Sequence, residues 1–181
     1  MVKYAVLATL MLLAIGLGSF QYWAVSWQGT ATATIGKVDN KVNITAGSPT
    51  LISNIVPWRP FTVGNTSHHL YKIDFPAEYN GYYIVTLHLV NADDVANDLR
   101  YLIMNVSLYN GTYSNNNLVD SKWLSLTNGR VQFKISPSNI TGGNSGYIYI
   151  TDGVGKALWW KVGTVTNPQF VIDVEEIGAG L

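Results

Sequence analysis

The segment VSWQGTATATI, residues 25–35, alternates strictly between two kinds of side chain. Its odd positions are apolar or small, and its even positions are Ser, Gln or Thr. Successive side chains of a β-strand point to opposite faces, so the alternation predicts a strand with one buried face. Such a strand either pairs within its own domain or completes another copy of the chain, and the alternation alone leaves both arrangements open.

Length and composition limit the function classes. The 181 residues suffice for one domain of ordinary size plus a targeting segment, and 48% apolar residues are enough for a core. Only 12% of residues are charged, and 11 basic side chains cancel 11 acidic ones, which indicates no nucleic-acid surface. The chain contains no cysteine, which excludes disulfides and thiolate zinc sites.

The N-terminus has the plan of a secretory signal, because Lys3 precedes an apolar run that ends in Gly and Ser. We expect residues 1–24 to be a signal peptide cleaved after Ala24. An uncleaved membrane anchor is the alternative, since the run approaches the roughly 18–20 apolar residues that span a bilayer. Either outcome predicts a secreted or cell-surface protein.

Beyond Gly36 the chain alternates between short apolar runs and turn sequences such as EYNG, TNGR and TDGVG. The pattern predicts an all-β fold, a β-sandwich of jelly-roll-like type, with residues 25–36 as a separate strand and 37–181 as one domain. The expected strands are 51–56, 69–75, 82–90, 100–109, 131–136, 146–151, 157–163 and 169–177.

Candidate metal ligands are few. His68 and His69 are neighbours and would point to opposite faces of a strand, and His88 stands alone, so no metal site is predicted. Residues 91–99 form either a short helix or a loop. Their carboxylates Asp93, Asp94 and Asp98 leave calcium binding undecided, although the spacing is not that of an EF-hand and favours a solvated loop that caps a helix.

Neither a catalytic motif nor a phosphate-binding loop is present in the sequence, so we expect no enzyme and no cofactor. N-x-[ST] sequons indicate glycan attachment instead. The candidate acceptors are Asn43, Asn65, Asn110 and Asn139, and Asn65 and Asn110 fall in predicted turns. A fifth sequon, at Asn105, falls inside a predicted strand.

Three segments carry a family resemblance: YWAVSW at 22–27, ITAGSPTLIS at 44–53 and FVIDVEEIGAG at 170–180. With an apolar leader and a cysteine-free all-β domain, this layout resembles the TasA/camelysin family of secreted fibre proteins, closest to the archaeal bundling pilins. The resemblance implies a pilus or biofilm-matrix subunit whose partner is a second copy of itself, with lateral bundling and glycans as further expectations.

The resemblance also implies donor-strand complementation, in which the N-terminal strand of one subunit completes the sandwich of the next. A head-to-tail contact of this kind propagates as a filament when it does not close into a ring. The implied interface residues are Val25, Trp27, Gly29, Ala31, Ala33 and Ile35. The alternative is a monomeric surface module that binds carbohydrate or mediates adhesion through Trp58, Trp123, Trp159 or Trp160.

Overall fold

The computed structural model describes residues 28–53, 55, 59–159 and 165–178. Within these ranges the secondary structure is mostly strand, with one short helix, α1 (Ala92–Ala96), and one 3₁₀ turn at Asn115–Asn117. The strands are β1 (Gln28–Thr30), β2 (Thr32–Val38), β3 (Asn43–Ala46), β4 (Thr50–Ser53), β5 (Pro60–Thr62), β6 (Tyr71–Asp74), β7 (Tyr82–Leu89), β8 (Leu99–Asn110), β9 (Leu118–Ser125), β10 (Arg130–Ile135), β11 (Ser145–Ala157) and β12 (Gln169–Ile177).

Two principal sheets enclose the core. The first has the strand order β10-β7-β12-β2, and the second has the order β3-β6-β11-β8-β9, with β5 also paired to β11. The strands β1 and β4 form a small third sheet. In the described ranges every strand pairing is antiparallel except that of β12 with β2. The all-β prediction is confirmed, and the architecture is sandwich-like.

Alternation along β10 and β6 explains their part of the core. In β10, Val131, Phe133 and Ile135 are buried while the residues between them are exposed, as the sequence pattern predicts. In β6, Tyr71 and Ile73 are fully buried. Each large apolar side chain buried in this way contributes roughly 1.5–3 kcal/mol. The core therefore holds the sandwich together without disulfides.

The prediction of a turn at TDGVG, residues 151–155, is wrong, because β11 continues through this segment to Ala157. The two glycines of the segment serve close packing. A Cβ on Gly155 would overlap the ring of Phe61, and a Cβ on Gly153 would overlap the carbonyl oxygen of Ile103. Glycine inside a strand here marks the approach of a neighbour, not the end of the strand.

Other boundaries also differ from expectation. β9 was not predicted. The strand expected at 157–163 is absent at Leu158 and Trp159, because these residues follow the end of β11 and belong to no strand. Residues 160–163 of that expected strand lie outside the described ranges. The boundary expected between residues 36 and 37 falls inside β2. The predicted signal peptide, residues 1–24, also lies outside the described ranges. No helix in the described part of the chain is long and apolar enough to cross a membrane.

Candidate functional site: the N-terminal edge strand

The segment proposed as a donor strand lies against its own chain and is divided in two. β1 pairs antiparallel with β4, and Gly29 lies opposite Ile52. The chain then passes to the four-stranded sheet through Ala31, which is only 1% exposed and donates its N–H to the Pro49 carbonyl oxygen at 2.9 Å. Val25 and Trp27 lie outside the described residues.

β2 continues as the outermost strand of the four-stranded sheet. Ala33 lies opposite Phe170 and Ile35 opposite Ile172, in parallel register with β12. Because directly opposite residues share a face, the apolar positions of β2 point to the same side as the core residues of β12. Ile35 is nevertheless 49% exposed, and most of β2 is exposed with it. The edge strand therefore presents an apolar side chain, Ile35, of which the described part of its own chain covers only about half.

A bulge interrupts the pairing of β2 with β12. The register shifts after Ile172 and Ile35, so that β2 carries one more residue than β12 at this point. The N–H of Lys37 donates to Asp173 Oδ1 at 2.7 Å. A Cβ on Gly36 would overlap that same carboxylate oxygen and lie 2.8 Å from Val171 Cγ1, so only glycine fits without displacement.

The opposite sheet also holds β2, through the fully buried Tyr71 of β6. The Tyr71 hydroxyl lies 2.7 Å from the carbonyl oxygen of Thr34 and 2.9 Å from that of Phe170, so it can donate to either. Burial raises the pKa of Tyr71, which keeps the hydroxyl protonated as a donor. This contact links the two sheets where β2 and β12 meet.

Two ion pairs run along the outer edge. Lys37 Nζ lies 3.2 Å from Glu175 Oε1, and Lys41 Nζ lies 2.7 Å from Glu176 Oε2. The hydrogen bond from Lys41 to Glu176 raises the pKa of the lysine. Exposed pairs of this kind stabilise little because solvent screens them. The docking of β2 thus depends on its backbone ladder, on a few polar contacts and on the partly buried Ala33 and Val38, which pack against the core.

The three histidines do not converge. His69 packs edge-on against Tyr147, with ring centroids 5.3 Å apart, and burial is the main cause that lowers its pKa. His88 Nε2 lies 3.2 Å from the second carboxylate oxygen of Asp173, while His68 is exposed. Within the described ranges no three His, Cys, Asp or Glu side chains are grouped to hold a metal ion.

The acidic segment has a role that its sequence pattern did not indicate. Asp98 is 5% exposed and accepts hydrogen bonds from the backbone N–H and the hydroxyl of Thr166, at 2.6 and 2.7 Å. Asn91 makes no side-chain cap to α1 and instead accepts from the N–H of Gln169 at 2.8 Å. Both side chains fasten the segment that leads into β12, the strand to which β2 is paired. Asp93 is exposed in α1, as is its neighbour Asp94.

The candidate glycosylation sites differ in how their amides are used. The Asn65 amide donates to a backbone carbonyl at the start of β4 and accepts two backbone N–H groups of its own turn. The Asn139 amide likewise accepts from the Ser136 N–H and donates to the Lys134 carbonyl oxygen, both at the end of β10. Asn43 is exposed at the start of β3, and Asn110 is half-buried at the end of β8. Glycosylation at these four positions stays a prediction.

Two of the four candidate binding tryptophans are described, and both are exposed. Trp123 on β9 is 55% exposed, and Trp159, just after β11, is 61% exposed. Trp58 and Trp160 lie outside the described residues.

No protein-family model matches this chain, and no curated protein sequence matches it significantly.

Proposed function

We propose that the chain is a structural subunit of an extracellular filament, a pilus or matrix fibre, that polymerises by insertion of its N-terminal strand into the next subunit. The observation that carries the proposal is the state of β2. It forms the sheet edge, it pairs with one described neighbour, and its core-side residue Ile35 is half exposed. Ala33 and Val38 pack only partly buried against the core, so an edge strand with this limited burial is suited to exchange.

The exchange preserves the contacts of the sheet. If β2 leaves, β12 presents a row of unpaired backbone groups beside Phe170 and Ile172, and an open edge of this kind is a template for another strand. The β2 strand of a second copy would restore the same ladder, the same bulge at Gly36 and the same Tyr71 hydrogen bond. The self-docked and exchanged states are therefore close in free energy, and subunit concentration favours the polymer.

The layout that resembles the TasA/camelysin family supports the same assembly. In the proposed polymer Val25 and Trp27, which precede β1 in sequence, are additional anchors at roughly 1.5–3 kcal/mol for each large side chain that becomes buried. The contact joins two different surfaces, so successive subunits add in one direction and form a fibre.

An engineered disulfide tests the proposal. Thr32 and Gln169 are exposed partners in adjacent strands, about 4.8 Å apart, which is within disulfide reach, and the natural chain has no cysteine to interfere. Fibres of the Thr32→Cys, Gln169→Cys variant, identified by negative-stain microscopy and then oxidised, should give a ladder of covalent multimers on a non-reducing gel. The reductant should return the ladder to monomer.

The matched control is Thr32→Cys with Gln132→Cys. Gln132 lies on β10, three strands away from β2 and thus about 14 Å from it, which is too far for a disulfide within one sheet. This variant should give no ladder. Fibres of the first variant that yield only internally bridged monomer would show that β2 stays with its own chain, and a chain that forms no fibres at all would refute the filament.

A second candidate is a monomeric surface module for carbohydrate binding or adhesion, and the exposure of Trp123 and Trp159 favours it. Exposed indoles offer flat apolar surfaces on which sugar rings stack. The microscopy in the same experiment separates the two candidates, because this one predicts single particles.

A further inference from the structure

A pocket of about 400 Å³ lies at the start of β8 and the end of β11 and is lined by Arg100, Lys156, Leu158 and Trp159, none of which belongs to β1 or β2. Its volume is within the roughly 300–1,000 Å³ of small-ligand sites. The backbone around it is shaped by a bulge: Lys156 lies opposite Tyr101 and the next residue of β11 lies opposite Leu99, which leaves Arg100 without a partner in the ladder. Bulges of this kind redirect side chains beside binding sites.

The exposed surface of the pocket is almost entirely apolar, and two cationic side chains, Arg100 and Lys156, are among the residues that line it. Trp159 is 61% exposed. In the described part of the chain, neither Arg100 nor Lys156 forms an ion pair, although five other basic side chains do. The N–H of Leu158 donates to the Asp98 carbonyl oxygen at 2.9 Å, which anchors the backbone immediately before Trp159. An apolar surface with an exposed indole and two cationic side chains beside it is complementary to an anion that also has an apolar face.

We propose that this pocket binds an acidic saccharide of the uronate class. The indole of Trp159 stacks on the apolar face of a pyranose ring, since its ring surface is large and flat. The guanidinium of Arg100 binds the sugar carboxylate through paired N–H donors, and the ammonium of Lys156 adds a second positive charge. The inference holds whether the chain polymerises or stays monomeric, because the pocket does not include β1 or β2.

A nucleic acid is a less suitable ligand. Nucleic-acid surfaces neutralise many phosphates with a basic stripe, whereas this chain has zero net charge and the pocket supplies two cations. The acidic saccharide is therefore the occupant that the charge and size of the pocket favour.

Calorimetric titration of the full chain with trigalacturonate tests the proposal, with maltotriose as the neutral comparison and a short single-stranded oligonucleotide as the phosphate comparison. Trigalacturonate should bind at least about tenfold more tightly than maltotriose, the ratio expected when one charge-assisted contact is lost. Arg100→Gln and Lys156→Gln should each weaken trigalacturonate by about tenfold, and Trp159→Ala should weaken both sugars.

The matched control is Trp123→Ala, which removes a similarly exposed indole from β9. It should leave trigalacturonate binding unchanged, and the indole N–H signal of Trp159 should shift on titration in NMR spectra of the control. Absence of trigalacturonate binding would overturn the proposal. So would equal binding of maltotriose, tighter binding of the oligonucleotide, or an equal loss in the Trp123 variant.

Discussion

Replacing Gly36 with alanine should loosen β2 from β12. The new Cβ would overlap Asp173 Oδ1 and lie 2.8 Å from Val171 Cγ1 and 3.1 Å from the carbonyl oxygen of Ile172. The carboxylate has room to turn away, since it is one-third exposed, but the backbone carbonyl is fixed in the ladder. Relief of the overlap therefore displaces β2 or removes the hydrogen bond from the Lys37 N–H.

The size of the effect follows from these two contributions. Overpacking by one methyl group typically costs roughly 1–3 kcal/mol. A hydrogen bond to a charged group contributes roughly 1.5–3 kcal/mol. Because moving Asp173 relieves part of the overlap while it breaks the hydrogen bond, the two costs do not add fully. We expect a loss of about 2 kcal/mol in the free energy of unfolding, or about 4–8 °C in melting temperature for a domain of this size.

Urea unfolding and thermal melts of Gly36→Ala and of Gly178→Ala measure the effect. Gly178 follows β12, and a Cβ there would meet nothing within 4 Å, so its variant should match the wild type. The same contact forms whether β2 docks on its own chain or on a neighbour, so Gly36→Ala should also reduce the yield of fibres. Equal stability of the two variants would show that the bulge is not packed as described.

Asp98→Ala should cost about 2–3 kcal/mol of unfolding free energy, because it removes a charged acceptor from the two half-buried donors of Thr166. Asp93→Ala, at an exposed position, should be nearly neutral in the same urea unfolding. Acid stability should depend on Asp74, whose pKa is lowered first by its hydrogen bond with Lys72 and then by that with Ser145. Its contribution is therefore present above the unfolded pKa of about 4 and is lost as the pH falls through the lower folded value. Melts from about pH 4 to pH 2 should show a smaller drop for Asp74→Asn than for the wild type.

Local alternation predicted the parts of the fold that depend on local pattern. Val131, Phe133 and Ile135 on β10 are buried on one face, as their period of two required, and Tyr71 and Ile73 on β6 are buried in the same way. A strand with one buried face is specified by its own side chains, so one sequence suffices to predict it.

Contacts between segments that are far apart in the sequence could not be predicted from local alternation. The glycines of residues 151–155 were assigned to a turn because their place in a strand depends on distant neighbours, Phe61 for Gly155 and Ile103 for Gly153. The roles of Asn91 and Asp98 depend on residues 166–169 in the same way. For the candidate site, the alternation of residues 25–35 indicated which side of β2 is apolar, but not its parallel pairing with β12.

The turn between β2 and β3 limits the kind of polymer that strand exchange could build. It contains four residues, 39–42, and is closed by a hydrogen bond from the Val42 N–H to the Asp39 carbonyl oxygen. Fully extended, four residues reach about 14 Å. If β2 exchanges, this turn becomes the tether between one subunit and its neighbour, and it is too short to hold them apart. Neighbouring subunits would therefore contact each other along the filament axis. Such a filament is a stiff rod with a fixed axial repeat, unlike one whose subunits are joined by flexible linkers.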